Sequence, residues 1–87
     1  MPSYLLESHQ DGADVTRVHR ALVRAVARLV RADPALRLRT GIYVPGDGRC
    51  LYVVEAAGAA QVGALAGTAG VRVGPVRPIV QLMEEEP

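Results

Sequence analysis

Eighty-seven residues, 49% of them hydrophobic, with a formal net charge of +1 and one cysteine, describe a single small domain over residues 1–87. That balance excludes an internal disulfide framework and gives no electrostatic reason to expect nucleic acid. It also leaves no apolar run near the roughly 20 residues that a bilayer span requires, so no membrane partner is expected. With three tyrosines and no Phe or Trp, the core falls to Val, Leu, Ile and Ala, and the small size favours a second copy as partner. No basic segment followed by a long apolar run opens the chain, which points to the cytoplasm.

In chain order, Tyr4–Glu7 reads as a short strand, followed by the polar loop SHQDGA. Asp14 then has the chemistry of a helix N-cap, and the helix itself spans VTRVHRALVRAVARLVRA. Val15, Val18, Leu22, Ala25, Val26, Leu29 and Val30 form its apolar stripe. Arg17, Arg20, Arg24, Arg28 and Arg31 line the opposite side, where the plainer reading is a solvated face. Pro34 stops the helix by pushing Asp33 out of the α region.

Next comes the clearest β signal. Leu36, Leu38, Thr40, Ile42 and Val44 alternate with Arg37, Arg39, Gly41 and Tyr43, and PGDG then turns the chain into RCLYVVEA. The alternation predicts that Leu38, Ile42 and Val44 face the helices while Arg37, Arg39 and Tyr43 face away. Gly58–Thr68 reads as a weak second helix ended by Gly70, with Gly63 and Gly67 allowing close approach to the sheet. Val76–Leu82 is the last strand, confined to a sheet edge by Pro78, and residues 83–87 form a charged, frayed tail.

The order β-α-β-β-α-β predicts a ferredoxin-like α+β fold, a four-stranded antiparallel sheet in the order 4-1-3-2 with two helices on one face. The two central strands are expected to run parallel. On that expectation Arg77, Glu7, Glu55 and Arg39 form a row across one end of the open face. Two adjacent carboxylates between arginines suit acid/base work, since mutual repulsion raises one pKa. The plainer reading of the row is a charge ladder, solvated or at a dimer interface. His19 sits on the rim of the helix stripe, and Tyr4, Tyr52 and Cys50 point to the helix side, where they would line a small pocket. His9, near Glu7 and Asp11, is a loose cluster without zinc-motif spacing.

RCLYVVEA, with Gly70 fourteen residues past Ala56, resembles a family of small ferredoxin-like bacterial proteins long catalogued as a domain of unknown function. The opening MPSYLLE and the AGV before the last strand are similar too. The resemblance implies a homodimer and, as in some family members, nickel binding. The family places a Cys four residues before that Ala and a His in the second helix; Tyr52 and Leu65 stand there in this chain. The order of elements also resembles dimeric α+β barrel proteins, whose members include cofactor-free cyclases and isomerases.

Two functions follow as expectations. The first is a homodimer that holds a small organic ligand, with cofactor-free cyclase or isomerase chemistry. Glu55 or Glu7 would be the base, Arg39 the electrostatic stabiliser and His19 or Tyr52 the proton donor, with Tyr4, Tyr43, Cys50 and Arg77 against the ligand. The second is a non-catalytic Ni²⁺-binding protein using His9, His19, Glu7 and Cys50. A purely structural subunit is the third possibility.

Overall fold

The chain runs β1 (Ser3–His9), a 3₁₀ turn (Gly12–Asp14), α1 (Val15–Leu29), β2 (Arg37–Val44), β3 (Arg49–Glu55), α2 (Ala59–Ala69) and β4 (Arg77–Ile79). These bounds come from a computed structural model that describes residues 2–10 and 12–82; the tail expected over 83–87 lies outside the described residues. The strands form one sheet in the order β2-β3-β1-β4. With the two helices this is a ferredoxin-like βαββαβ arrangement.

Every strand pair is antiparallel, including the central pair β1 and β3, which the sequence reading took as parallel. The connections require this. A helical crossover returns β2 in the direction of β1, and the hairpin then reverses β3. Ser3 therefore pairs with Glu55, and Glu7 with Leu51.

Burial follows the pleat. Leu6 and Ser8 of β1 and Cys50, Tyr52 and Val54 of β3 are buried on the helix side. All but Ser8 meet Val18, Leu22 and Ala25 of α1 and Val62, Leu65 and Ala66 of α2 in one cluster, which Leu36 and Ala56 extend. Burying each such aliphatic side chain contributes roughly 1.5–3 kcal/mol. Gly63 and Gly67 of α2 are exposed and a Cβ on either would meet no neighbour, so they do not bring the helix close to the sheet.

Two helix ends differ from the sequence reading. Asp14 is already in the α region and makes no cap hydrogen bond, because a 3₁₀ turn rather than an extended residue leads into α1. Its carboxylate pairs with Arg17 instead, at 3.4 Å. The far end of α1 stops at Leu29, where the Ala32 N–H donates to Leu29 O in a tighter turn. Gly70 ends α2 as expected, at φ +69°, its N–H donating to Ala66 O and Gly67 O.

One irregularity decides which side chains face where. The register of β2 on β3 shifts between Leu38 and Thr40, with Leu38 opposite Val54 and Thr40 opposite Val53. Arg39 is the extra residue of a β-bulge. Because side chains alternate with period two, one inserted residue sends everything after it to the other face. Gly41 and Tyr43 therefore join the helix side, opposite Tyr52 and Cys50, and Ile42 and Val44 join the open side, opposite Leu51 and Arg49. The expectation that Ile42 and Val44 pack under the helices while Tyr43 faces away is overturned: Ile42 is 53% exposed, and Tyr43 packs against the core cluster.

Candidate functional site

The row of Arg77, Glu7, Glu55 and Arg39 does not form. Antiparallel pairing separates Glu7 from the level of Glu55 by four residues of strand, about 13 Å. Each acid has its own arginine on the open face. Arg49 Nε donates to Glu7 Oε1 at 2.8 Å, and Arg39 Nε lies 2.9 Å from Glu55 Oε1. The expected Arg39–Glu55 pair is thus present, but the residue directly opposite Glu55 is Arg37, and Arg39 reaches in from the bulge. Arg77 pairs opposite Leu5. Two carboxylates this far apart, each beside its own guanidinium, are not one acid/base dyad.

The metal-ligand candidates are likewise divided. Glu7 and His9 belong to the open-face positions of β1, whereas Cys50 is buried on the helix side and His19 stands on α1 above it. The sheet lies between the two pairs. Among the described residues no three His, Cys, Asp or Glu side chains gather as metal ligands would. His9 instead lines a polar hollow with Gln10, Asp14, Asp47 and Gly48.

His19 and Tyr52 do come together. Their rings are near parallel, 15° apart in plane, with centroids separated by 6.3 Å. Gly41 makes this possible, for a Cβ there would sit 2.9 Å from Tyr52 Cε1 and 3.8 Å from His19 Nδ1. Burial, helped by the Cys50 thiol beside it, raises the Tyr52 phenol above its ordinary value. Cys50 is itself buried, as is Ser8 opposite it, whose hydroxyl has no hydrogen-bond partner. Tyr4 packs at the edge of the core, paired with Val54 and Pro78, well away from His19.

A groove of about 540 Å³ runs between α1 and β2. Val23, Val26 and Val30 form its helix wall, and Leu36, Leu38 and the stems of Arg37 and Arg39 its strand wall; His19 and Gly41 close one end. Past them a smaller hollow of about 90 Å³ continues over Tyr43, Cys50 and Tyr52. Of the residues singled out in the sequence, His19, Arg39, Tyr43, Cys50 and Tyr52 thus line one continuous surface. Glu7, Glu55, Arg77, His9 and Tyr4 do not line it.

Apart from His19 and Arg39, the groove residues, Val23, Val26, Val30 and Arg37 among them, were not assigned to a site by sequence reasoning. The signal was present in the width of the α1 stripe. Val23 and Val30 lie beyond the arc needed to cover the sheet, and Val23 is 48% exposed. Among the described residues no helix is long and apolar enough to cross a membrane.

Compared with known proteins, the chain matches no family profile, no curated protein and no solved structure. Its ferredoxin-like fold therefore rests on its own topology, and fold by itself assigns no activity.

Proposed function

We propose that this chain binds a small, elongated, mainly apolar molecule bearing an acidic group, and holds it in the groove between α1 and β2. The observation that carries the reading is the groove itself: about 540 Å³, walled by valines and leucines, with arginine stems along one side. Its size falls in the range of small-molecule sites, and its pattern of apolar walls with few polar groups is the usual one. From His19 to Val30 the helix wall spans eleven residue rises, about 16 Å, which favours an extended ligand over a compact one. Among the described residues Arg37 has no ion-pair partner, and it supplies the cation for the acidic group.

The cyclase or isomerase reading finds less support. His19 closes the groove and Tyr52 lies in the smaller hollow beyond it, but both carboxylates proposed as bases sit on the opposite face of the sheet, bound to arginines. Binding is what the geometry favours.

Decanoate and decanol are suitable probes. Decanoate is expected to raise the melting temperature in a concentration-dependent way, because a ligand of the native state stabilises by mass action. Decanol should bind more weakly. Val26→Asp, which puts a charge into the apolar wall, should abolish the shift, and Arg37→Ala should weaken decanoate about tenfold, the equivalent of roughly 1.4 kcal/mol. A melting temperature that decanoate leaves unmoved, or an equal response in Val26→Asp, removes the proposal.

A further inference from the structure

A solvated helix face usually interleaves both signs of charge, so that acids and bases four residues apart relieve one another. The outer side of α1 does not. The helix carries Arg17, Arg20, Arg24 and Arg28 and no Asp or Glu. Arg20, Arg24 and Arg28 are all exposed and follow one another at a rise of about 6 Å, a spacing at which like charges destabilise a helix. Arg17 is relieved by Asp14, but among the described residues the other three have no ion-pair partner. α2, packed alongside, has no charged residue at all.

Part of this row borders a hollow. Ala21, Arg24, Ala25 and Arg28 fall at i, i+3, i+4 and i+7, and so share the side of α1 turned to α2. With Thr68 and Ala69 of α2 they line about 170 Å³. The two alanines leave the seam between the helices unfilled, and the arginines flank what remains. Against a share of roughly 30 Å³ for one water molecule, that is room for a tetrahedral oxyanion and a few waters. The groove beside β2 occupies another side of α1, and the two cavities have no lining residue in common.

We propose that this hollow is a phosphate site, in which Arg24 and Arg28 pair with the phosphoryl oxygens of a small soluble phosphorylated molecule and the Thr68 hydroxyl donates to another of them. Guanidinium suits such oxygens because its N–H groups form a planar fork and it stays charged at any working pH. Two guanidiniums on one hollow ask for more than one negative charge, which selects a phosphate monoester over a carboxylate. The bound dianion would also relieve the repulsion between Arg24 and Arg28 that nothing else in the described structure offsets. A lipid headgroup offers the same oxygens. The face that α2 turns to solvent, however, is Ala59, Ala60, Gln61, Gly63, Ala64 and Gly67, with no large apolar side chain to enter a bilayer.

Isothermal titration calorimetry of the full chain at fixed ionic strength tests the assignment, with inorganic phosphate, phenyl phosphate and benzoate as probes. Both phosphates are expected to bind saturably at one site, and benzoate much more weakly. Arg24→Gln with Arg28→Gln should weaken both phosphates by about tenfold or more, since each change removes a charge-assisted bond. Arg20→Gln with Arg31→Gln removes the same charge from exposed positions that line neither cavity, and should cost less than about threefold because that charge is screened by solvent and salt. Ala21→Leu keeps every arginine but fills the hollow, and should abolish binding. Circular dichroism checks the fold of each variant, and the arginine pairs decide the matter even if Ala21→Leu disturbs the packing of the helices. Calorimetry is preferred to melting temperature because phosphate also stabilises proteins by exclusion from their surface.

Equal losses in the two arginine pairs overturn the proposal, because they reduce the row to a diffuse field. Absence of saturable phosphate binding overturns it as well. Vesicles of phosphatidylcholine and phosphatidylglycerol separate the two sources of phosphate. The chain should stay in solution beside them, and co-sedimentation without binding of either soluble phosphate would place the ligand in a membrane and overturn the assignment.

Discussion

At Gly41 the chain omits a side chain for which it has no room. A Cβ would stand 2.9 Å from Tyr52 Cε1 and 3.1 Å from Tyr52 Cδ1, and Tyr52, at 3% exposure, has nowhere to turn. The need is steric rather than conformational, since Gly48 and Gly70 are the only described glycines at positive φ. Gly41→Ala should therefore cost about 1–3 kcal/mol, the usual range for overpacking a filled core. For a domain of this size that corresponds to a fall in melting temperature of roughly 4–8 °C per kcal/mol. Thermal unfolding of the variant is the check, and a melting point equal to wild type would mean that the Tyr52 ring is not held where its contacts require. Because Gly41 also separates the groove from the hollow over Tyr52, the same substitution should narrow the passage between them.

At the scale of elements, α2 shows that glycine in one helix can be a defect at one position and a necessity at another. Gly63 is in the helix interior, exposed, with nothing within reach of an added Cβ. Gly63→Ala should stabilise the protein by about 0.5–1 kcal/mol, by removing backbone freedom from the unfolded chain and raising helix propensity. Gly70, at φ +69°, is the left-handed residue that ends the helix, and Gly70→Ala should cost about 1 kcal/mol. Urea unfolding of the pair should give opposite signs; two changes of one sign would contradict the helix end described above. This end was legible in the sequence, as were the hairpin, its PGDG turn and the order of elements. The bulge in β2 was not. Ile42, Tyr43 and Val44 are three apolar residues in a row, so either parity buries an apolar side chain and the pattern carries no record of the inserted residue. What chose the parity is tertiary: Gly41 fits over Tyr52, and Thr40 in its place would not.

For the molecule as a whole, the direction of β3 relative to β1 has the largest functional consequence. Reading those strands as parallel gathered Glu7 and Glu55 into one site, although a helical crossover followed by a hairpin already implies that they run opposite. Groove and carboxylates then fall on opposite faces of the sheet, with Arg39 at the β2 edge reaching both, and the two ion pairs become independent. Glu55 and Glu7 are mostly covered, but their partners Arg39 and Arg49 are 53% and 41% exposed, so each pair is worth less than about 1 kcal/mol after solvent screening. Glu7→Gln and Glu55→Gln should each destabilise by no more than that, and at about 13 Å along the strands their effects should add to within roughly 0.5 kcal/mol in the double variant. A shared site behaves differently. Two carboxylates in contact repel, so removing the first would relieve the second, and the double variant would depart from the sum. Chemical denaturation of the four proteins in that cycle measures the coupling directly. A value near zero is expected from antiparallel strands, and a coupling above about 1 kcal/mol would require the two acids to touch.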